Sequence, residues 1–203
     1  MAKRAGDDGT RRRGSVLPPE TWHEPTGDGD GRFRIVRQAP GEGYEHVVTP
    51  DEIRARLSVF PRWIRERLEV VQLSTMTRRK RTCPCYGMQW GQAIYLYPIE
   101  ESLVETFSQP PKPAQLVEAR MFGAEWRRSE DGLWQLVWTK AKIKDYYLNN
   151  VLIHELGHLI DDRNTTYKDR ERYAEWFAVT FGYKASRRGL VYGAGVSAES
   201  SRS

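Results

Sequence analysis

A pair of helical segments near the C-terminal end of the chain restricts its fold most strongly. Leucines recur at helical spacing between Asp145, which can cap a helix, and Asp162: they lie at positions 148, 152, 156 and 159. A short break follows, and Thr166 with Asp169 forms the pattern of a second N-cap, which predicts a helix to about Tyr183. Because the break is short, we expect the two helices to fold back on each other as an antiparallel pair.

An earlier helix is predicted where the sequence first becomes periodic. Thr49 has the position of an N-cap, with Pro50 in the first turn and Glu52 at the third position. Apolar residues keep a helical spacing over residues 53–73, and Pro61 should break or kink this helix.

Strand-forming residues fill the region between these helices. Residues 92–99 are rich in aromatic and β-branched side chains, and Asp131-Gly132 is a hairpin signal between two further strand-like runs. Met88 and Trp90 lie between two glycines, a pattern that indicates either a packed turn or a mobile lid. We expect an α+β fold in which a small, mostly antiparallel sheet packs on the first helix of the C-terminal pair.

The length of 203 residues suits one domain with a buried core, and a hydrophobic content of 39% excludes a wholly disordered chain. Both ends lack a structural period, so we expect a flexible N-terminal extension over 1–30, a single domain over 31–183 and a flexible tail over 184–203. No apolar run is long enough to cross a bilayer, and the N-terminal region lacks the apolar segment of a secretory signal. The expected location is therefore the cytoplasm, without membrane contact.

The formal net charge is +5, and its excess lies in residues 31–100, which include the basic run 78–81. A basic run can contact phosphate, but no aromatic or Gly-rich pattern of a nucleic-acid-binding module accompanies it. We interpret the run as a solvated face and do not expect a nucleic-acid partner. Cys83 and Cys85 lack two further ligands nearby, so we interpret them as reduced thiols rather than as a metal site.

Residues 154–158, His-Glu-Leu-Gly-His, suggest the chemistry of the protein. His154 and His158 are four positions apart, share one face of a helix and can bind the same metal ion. Glu155 lies beside them and can accept a proton from a metal-bound water. This spacing is the HExxH arrangement of zinc hydrolases, and the structural alternative is an ordinary pair of histidines on a helix.

A catalytic zinc ion needs a third protein ligand, and the second helix offers Glu171 and Glu175. If the two helices are antiparallel about the centre of the break, His158 lies level with Glu171 and His154 lies level with Glu175. The two levels are about 6 Å apart along the helix axis, the rise of four residues. Both glutamates thus lie opposite histidines, and their levels alone do not choose between them.

The pentad followed by the pattern ExxA[DE] on the next helix, here Glu171 to Glu175, resembles the gluzincin branch of zinc metallopeptidases. Over roughly residues 132–183, the chain resembles compact single-domain members of this branch and the catalytic domain of anthrax lethal factor. The resemblance implies a zincin-like fold, Zn²⁺ as the cofactor and a peptide or protein substrate. It also implies that Glu171 is the third ligand and that Glu175 hydrogen-bonds a zinc-binding histidine.

Other positions near the pentad are candidates for supporting roles. Asp161 lies on the histidine face of the first helix and is a candidate to support a ligand. Tyr167 and Tyr183 are candidate oxyanion donors, although a tyrosine near a core more often serves packing. The predicted strand 133–139 is either the edge on which an extended peptide adds or an ordinary core strand.

The predicted activity is zinc-dependent hydrolysis of peptide bonds, with Glu155 as the general base. The alternative is a non-catalytic zincin-like protein that binds or regulates a partner. Glu155 favours the enzyme, because a purely structural zinc site does not require a base. A carboxylate-bridged di-metal site is disfavoured, because neither Glu171 nor Glu175 is followed by a histidine three positions on.

Overall fold

A computed structural model of the chain describes residues 23–24, 32–77, 80 and 85–189. Small sheets and two long helices of about 21 residues form the fold, so the predicted α+β class is confirmed. We call residues 140–160 the site helix and residues 167–187 the return helix; they pack on each other. Most of both predicted flexible ends, together with Arg78, Arg79, Arg81 and Cys83, lie outside the described residues.

A four-stranded mixed sheet packs against the site helix. Its strands, in order across the sheet, are β1 (Arg34–Arg37), β3 (Val70–Leu73), β5 (Ala93–Leu96) and β4 (Gly87–Trp90). The pairs β1–β3 and β3–β5 are parallel, and only β4 pairs antiparallel, with β5. The expected antiparallel character is therefore wrong for this sheet. Its inner strands β3 and β5 are buried throughout, as parallel strands usually are.

Strand β4 occupies the position of the predicted turn or lid around Met88 and Trp90. Gly91, at φ +57°, and Gln92 connect Trp90 directly to Ala93 in a two-residue hairpin. Glycine adopts this left-handed conformation without a steric penalty. Neither of the two alternatives, a packed turn or a lid, describes residues 87–90, which form the edge strand of the mixed sheet beside the site helix.

The helix predicted over residues 53–73 ends much earlier. Helix α1 (Pro50–Ser58) begins at Thr49 with the predicted capping box to Glu52, and α2 (Arg62–Arg65) begins after Pro61, so the cap and the break are confirmed. Residues 70–73 form the buried strand β3. The prediction failed there because a short apolar run with β-branched residues fits either type of element.

The residues between the mixed sheet and the site helix, in chain order, form a three-stranded antiparallel sheet. Its strands, in spatial order, are β7 (Val104–Phe107), β9 (Trp134–Val137) and β8 (Glu125–Arg128). The β8–β9 pair confirms the hairpin predicted at Asp131-Gly132. A separate pair joins β2 (Tyr44–Glu45) to β6 (Ile99–Glu100).

Helix α3 (Pro113–Phe122) was not predicted, because the proline cluster before it indicates a loop. Pro113 in fact occupies the first turn of the helix, where a missing backbone N–H leaves no hydrogen bond unmade. The helix ends at Gly123, whose φ of +78° is the left-handed conformation common at helix C-termini.

The site helix contains a π-helical segment between two α-helical parts. The parts are α4 (Lys140–Tyr146), π1 (Tyr147–Val151) and α5 (Leu152–Ile160). Its N-cap is Thr139, whose hydroxyl accepts the backbone N–H of Lys142, and not Asp145 as predicted. Asp145 lies within the helix and forms an ion pair with Arg187 at 2.7 Å.

The return helix has the same kind of interruption. Its parts are α6 (Tyr167–Phe177), π2 (Ala178–Lys184) and α7 (Ala185–Arg187). The predicted N-cap Thr166 is confirmed, since its hydroxyl accepts the backbone N–H of Asp169. The helix continues past Tyr183, so residues 184–187, which we assigned to the flexible tail, are helical.

Two glycines allow the site helix and the return helix to approach closely. A Cβ atom on Gly157 would lie 2.9 Å from the Cα of Ala174, and one on Gly182 would lie 2.0 Å from the carbonyl oxygen of Asn149. The second contact joins π1 to π2.

The main hydrophobic core lies between these helices and the mixed sheet. No helix of the described part of the chain is long and apolar enough to cross a bilayer.

Candidate metal centre

Three side chains converge between the site helix and the return helix. His154 and His158 on α5 place their Nε2 atoms 3.1 Å apart. Glu171 on α6 faces both rings, with Oε2 3.5 Å from Nε2 of His154 and Oε1 3.4 Å from Nε2 of His158. The structure therefore brings together the two histidines and one of the two candidate glutamates in a group that can hold a metal ion.

Glu171, and not Glu175, faces both histidines. The two imidazole rings converge, with centroids 4.8 Å apart, so their Nε2 atoms are much closer together than the helical rise of about 6 Å between the two residues. One carboxylate therefore reaches both nitrogens, each with a different oxygen. Glu175 is exposed one turn further on, and its negative charge acts on His154 by raising the pKa of that ring.

The donor set fits a zinc ion in chemistry and in spacing. Two imidazole nitrogens and a carboxylate are a common ligand set of catalytic zinc. Zinc-to-ligand bonds of about 2.0–2.1 Å in a tetrahedron place the ligand atoms about 3.3–3.4 Å from one another. The Nε2–Nε2 separation of 3.1 Å and the nearest nitrogen–oxygen distances of 3.4 and 3.5 Å, which involve different oxygens of Glu171, lie close to this value. With one oxygen of Glu171 as the ligand, the three ligand atoms lie within 4.8 Å of one another.

Burial keeps the two histidines in the form that binds metals. It is the largest effect on the pKa of His154 and of His158, and it lowers both below the ordinary value. The positive charge of His158 lowers the pKa of His154 further, and that of Arg170 lowers the pKa of His158 further, whereas Glu171 raises both. Neutral imidazoles, which keep a lone pair for a metal, are therefore favoured near neutral pH.

Glu155 is the most buried acid of the site, with only 8% of its surface exposed. Burial and, secondarily, the negative charge of Glu171 raise its pKa to about 8. A backbone hydrogen bond from Gln89 on β4 opposes this shift. A carboxylate held this way takes up protons near neutral pH, as a general base must.

Gly87 on β4 makes room for the Glu155 side chain. A Cβ atom at this position would lie 2.7 Å from Cγ1 of Val151 and 3.1 Å from Oε1 of Glu155. The edge strand β4 thus passes directly over the predicted base. Gly87 and Gln89 are visible in the sequence, but nothing local indicates that they contact Glu155. That contact depends on the β4–β5 hairpin, which we did not predict.

A cleft of about 600 Å³ opens over these groups. It lies between β4 and the two long helices. The candidate ligands and Glu155 line it together with a set of residues from β4 and from the start of the return helix: Cys85, Gly87, Met88, Gln89, Thr165, Tyr167 and Arg170. The cleft therefore exposes the candidate metal position to a ligand from solvent.

Arg170 is a residue of the cleft that no sequence motif indicated. Its Nη2 lies 3.5 Å from Oε1 of Gln89 and 3.4 Å from the carbonyl oxygen of His158, and its buried Nε has no hydrogen-bond partner among the described residues. It directly precedes Glu171 on α6. The only available signal was a basic residue next to a candidate ligand.

Asp161 and Tyr167, the two residues predicted to support the site, lie in different places. The Asp161 carboxylate accepts the backbone N–H groups of Arg163 and Asn164 and closes the turn between the helices, and it acts on His158 only by raising its pKa. Tyr167 lines the cleft and is 80% exposed, so its role as an oxyanion donor stays a prediction. Tyr183 packs on Phe122 and is not among the residues that line the cleft.

The strand predicted to accept an extended peptide does not have a free edge. Strand β9 lies between β7 and β8 and pairs with both. Of the two alternatives left open for residues 133–139, the peptide-binding edge is therefore wrong. The edge strand next to the site is β4.

Cys85 and Lys80 are the parts of the Cys-x-Cys pair and of the basic run that the structure describes. The Nζ of Lys80 lies 3.1 Å from Sγ of Cys85 and 4.1 Å from the centroid of the Tyr97 ring. Several arginines of the N-terminal half are also paired: Arg54 with Asp51, Arg62 with Glu66 and Arg67 with Asp162. These pairs are compatible with a solvated basic face.

No protein-family model matches the chain, and comparisons with curated proteins and with solved structures found no significant match.

Proposed function

We propose that this protein is a zinc-dependent metallopeptidase. His154, His158 and Glu171 would hold the metal, and Glu155 would act as the general base. The observation that carries the proposal is the convergence of two imidazole nitrogens and one carboxylate beside a buried carboxylate in an open cleft. The resemblance of the HExxH and ExxA[DE] segments to gluzincins supports the same activity.

Each group of the site has a separate role in the proposed hydrolysis. A bound zinc ion supplies Lewis acidity and lowers the pKa of a coordinated water to about 7. Glu155 accepts a proton from the attacking water at a carboxylate oxygen and delivers it to the departing amine. Gln89 holds this carboxylate in place through its backbone N–H. Tyr167 is the candidate donor to the developing oxyanion.

The edge strand β4 supports a peptide as the substrate. It lies along the cleft, and an extended peptide can add to such an edge through backbone hydrogen bonds. This mode of binding positions a peptide bond near Glu155 without requiring a particular side chain. It also accounts for a glycine at position 87, where a larger residue would collide with the base.

Two glutamates of the return helix provide a matched test of the metal site. We expect the purified wild-type protein to hold about one zinc ion per chain, as the His₂Glu site predicts. Glu171→Gln should lose most of this zinc, whereas Glu175→Gln should retain it, because Glu171 alone faces both imidazoles. Elemental analysis after dialysis at neutral pH measures both. Equal zinc loss in the two variants would contradict the assignment of the third ligand.

Activity is tested with a proteome-derived peptide library. Glu155→Gln should retain zinc and lose at least about 100-fold of the cleavage rate, the usual contribution of a general base. Cleavage by this variant at the wild-type rate would refute the mechanism. Zinc-loaded wild-type protein that cleaves no peptide would favour the non-catalytic alternative.

A further inference from the structure

A side cavity of about 230 Å³ adjoins the candidate metal centre. It shares His154 and Glu155 with the main cleft, so the two spaces meet at the catalytic groups. Its other walls come from the start of β4, from α3 and from the middle of the site helix. They include Tyr86, Glu118, Tyr146 and Asn150.

We propose that this cavity binds the cationic side chain of a lysine or arginine next to the scissile peptide bond, with the Glu118 carboxylate as its anionic partner. The inference rests on the proposed peptidase function and adds the substrate class. It assigns Glu118 as a residue that determines specificity, a role that neither the pentad nor the resemblance to gluzincins includes.

Within the described part of the chain, neutral groups orient the Glu118 carboxylate. Nδ2 of Asn150 donates to its Oε1 at 2.6 Å, and the hydroxyl of Tyr146 is a second hydrogen-bonding partner. No lysine or arginine is among the described residues that line the cavity. The carboxylate is therefore fixed in direction, and a cation that enters the cavity meets a preoriented anion.

The surroundings of Glu118 make an empty cavity unfavourable for its negative charge. Burial raises the pKa of Glu118, and the charge of Glu175 raises it further. A substrate cation opposes both effects, since a nearby positive charge favours the ionised form of the carboxylate.

The walls suit the long apolar stem that precedes the charge in lysine and arginine. The rings of Tyr86 and Tyr146 pack edge to face, with centroids 5.2 Å apart, and Val151 adds an aliphatic surface. Methylene groups pack on such walls while the charged end reaches a polar partner. Aromatic faces also attract a cation directly.

Matched peptides test the proposal. Each pair differs only in charge at one position beside the cleavage site: lysine against norleucine, and arginine against citrulline. We expect the wild-type protein to cleave the charged member with a kcat/KM about 10- to 100-fold higher, the range for a hydrogen bond to a charged group. Glu118→Gln, which keeps the shape of the side chain, should abolish this preference while cleavage of the norleucine peptide stays within about twofold.

Two further variants separate recognition from structural damage. Glu118→Asp keeps the charge and should retain a measurable preference for lysine, whereas Glu125→Gln, at an exposed position on β8, should behave like wild type. Melting temperatures show whether each variant folds. If Glu118 served only to fasten α3 to the site helix, Glu118→Gln would lower cleavage of both peptides equally, and this result would overturn the proposal.

The outcomes also distinguish this inference from the proposed function. Cleavage of charged and neutral peptides at equal rates would overturn the cation preference and leave the peptidase function standing. Absence of any cleavage by zinc-loaded protein would refute the peptidase function, and the inference would be refuted with it.

Discussion

A buried carboxylate dominates the electrostatics of the site at the scale of single residues. Glu155 lies under β4, and burial is the largest cause of its raised pKa of about 8. An acid whose pKa is raised on folding binds protons more tightly in the folded state. The metal-free protein therefore carries a destabilising group whose cost depends on pH.

Glu155→Gln should stabilise the metal-free protein at pH 8 but not at pH 4.5. Below about 4.5, the ordinary glutamate pKa, the carboxyl group is protonated in both states and costs nothing. As the pH rises from there to about 8, only the unfolded state releases the proton, so the free energy of unfolding of the wild type falls relative to the variant, by a few kcal/mol. Denaturant unfolding in chelator at both pH values measures the difference. A difference that does not change with pH would contradict the burial of this charge.

The choice between Glu171 and Glu175 shows the limit of sequence reasoning for single residues. The spacing of four predicted which helix faces carry the ligands, because helical periodicity determines faces. It did not predict that the two imidazoles converge to an Nε2 separation of 3.1 Å. That convergence depends on side-chain rotamers, and it lets Glu171 serve both rings.

At the scale of elements, the two π-helical segments pack against each other and share a buried arginine. Arg56 of α1, only 2% exposed, donates from Nε to Oδ1 of Asn149 in π1 and from Nη2 to the carbonyl oxygen of Phe181 in π2. Burial lowers the pKa of Arg56 to about 10. This side chain therefore ties α1 to both long helices, and π segments of this kind often occur near functional sites.

Gly182→Ala should destabilise the protein strongly, because the new Cβ would lie 2.0 Å from the carbonyl oxygen of Asn149. Backbone must shift to relieve this contact, and we expect a loss of about 3 kcal/mol or more in the free energy of unfolding. Gly43→Ala is the control: its φ of +76° is strained for alanine but its surroundings are open, so about 1 kcal/mol is expected. Equal losses in denaturant unfolding would show that the contact between the π segments is not tight.

Short sequence patterns at the ends of helices and at turns predicted those boundaries correctly. The Thr49 and Thr166 caps, the break at Pro61 and the hairpin at Asp131-Gly132 were all confirmed, because each depends on a few neighbouring residues. Strand β3 was not predictable, since its apolar run fits a helix as well and its parallel partners are distant in sequence. The π segments have no sequence signal, because they depend on packing between the two long helices.

At the scale of the whole molecule, the candidate metal ligands come from two elements that follow one another around a short turn. His154 and His158 belong to the site helix, and Glu171 belongs to the return helix. A metal ion bound by all three would link the two helices. Folding and metal binding are therefore expected to be coupled, since the unfolded chain has no preformed site.

Removal of zinc should lower the melting temperature. Zinc at 100 times its dissociation constant stabilises the folded state by about 2.7 kcal/mol, which corresponds to roughly 5–10 °C for a chain of this size. Calorimetry with zinc and with chelator measures the shift. Glu155→Gln should keep the shift and Glu171→Gln should lose it; a shift retained by Glu171→Gln would mean that zinc binds elsewhere.

The π segment in the site helix affects the direction in which His154 and His158 point. A π-bulge is equivalent to one residue inserted into an α-helix, and one residue rotates everything after it by about 100° about the axis. Residues 147–151 therefore determine where His154 and His158 point relative to α4, which is anchored by its Thr139 cap and the Asp145–Arg187 ion pair. An alignment of homologues should accordingly allow a one-residue gap in this segment. A homologue without the extra residue would direct its histidines away from the return helix, even with an identical HExxH sequence.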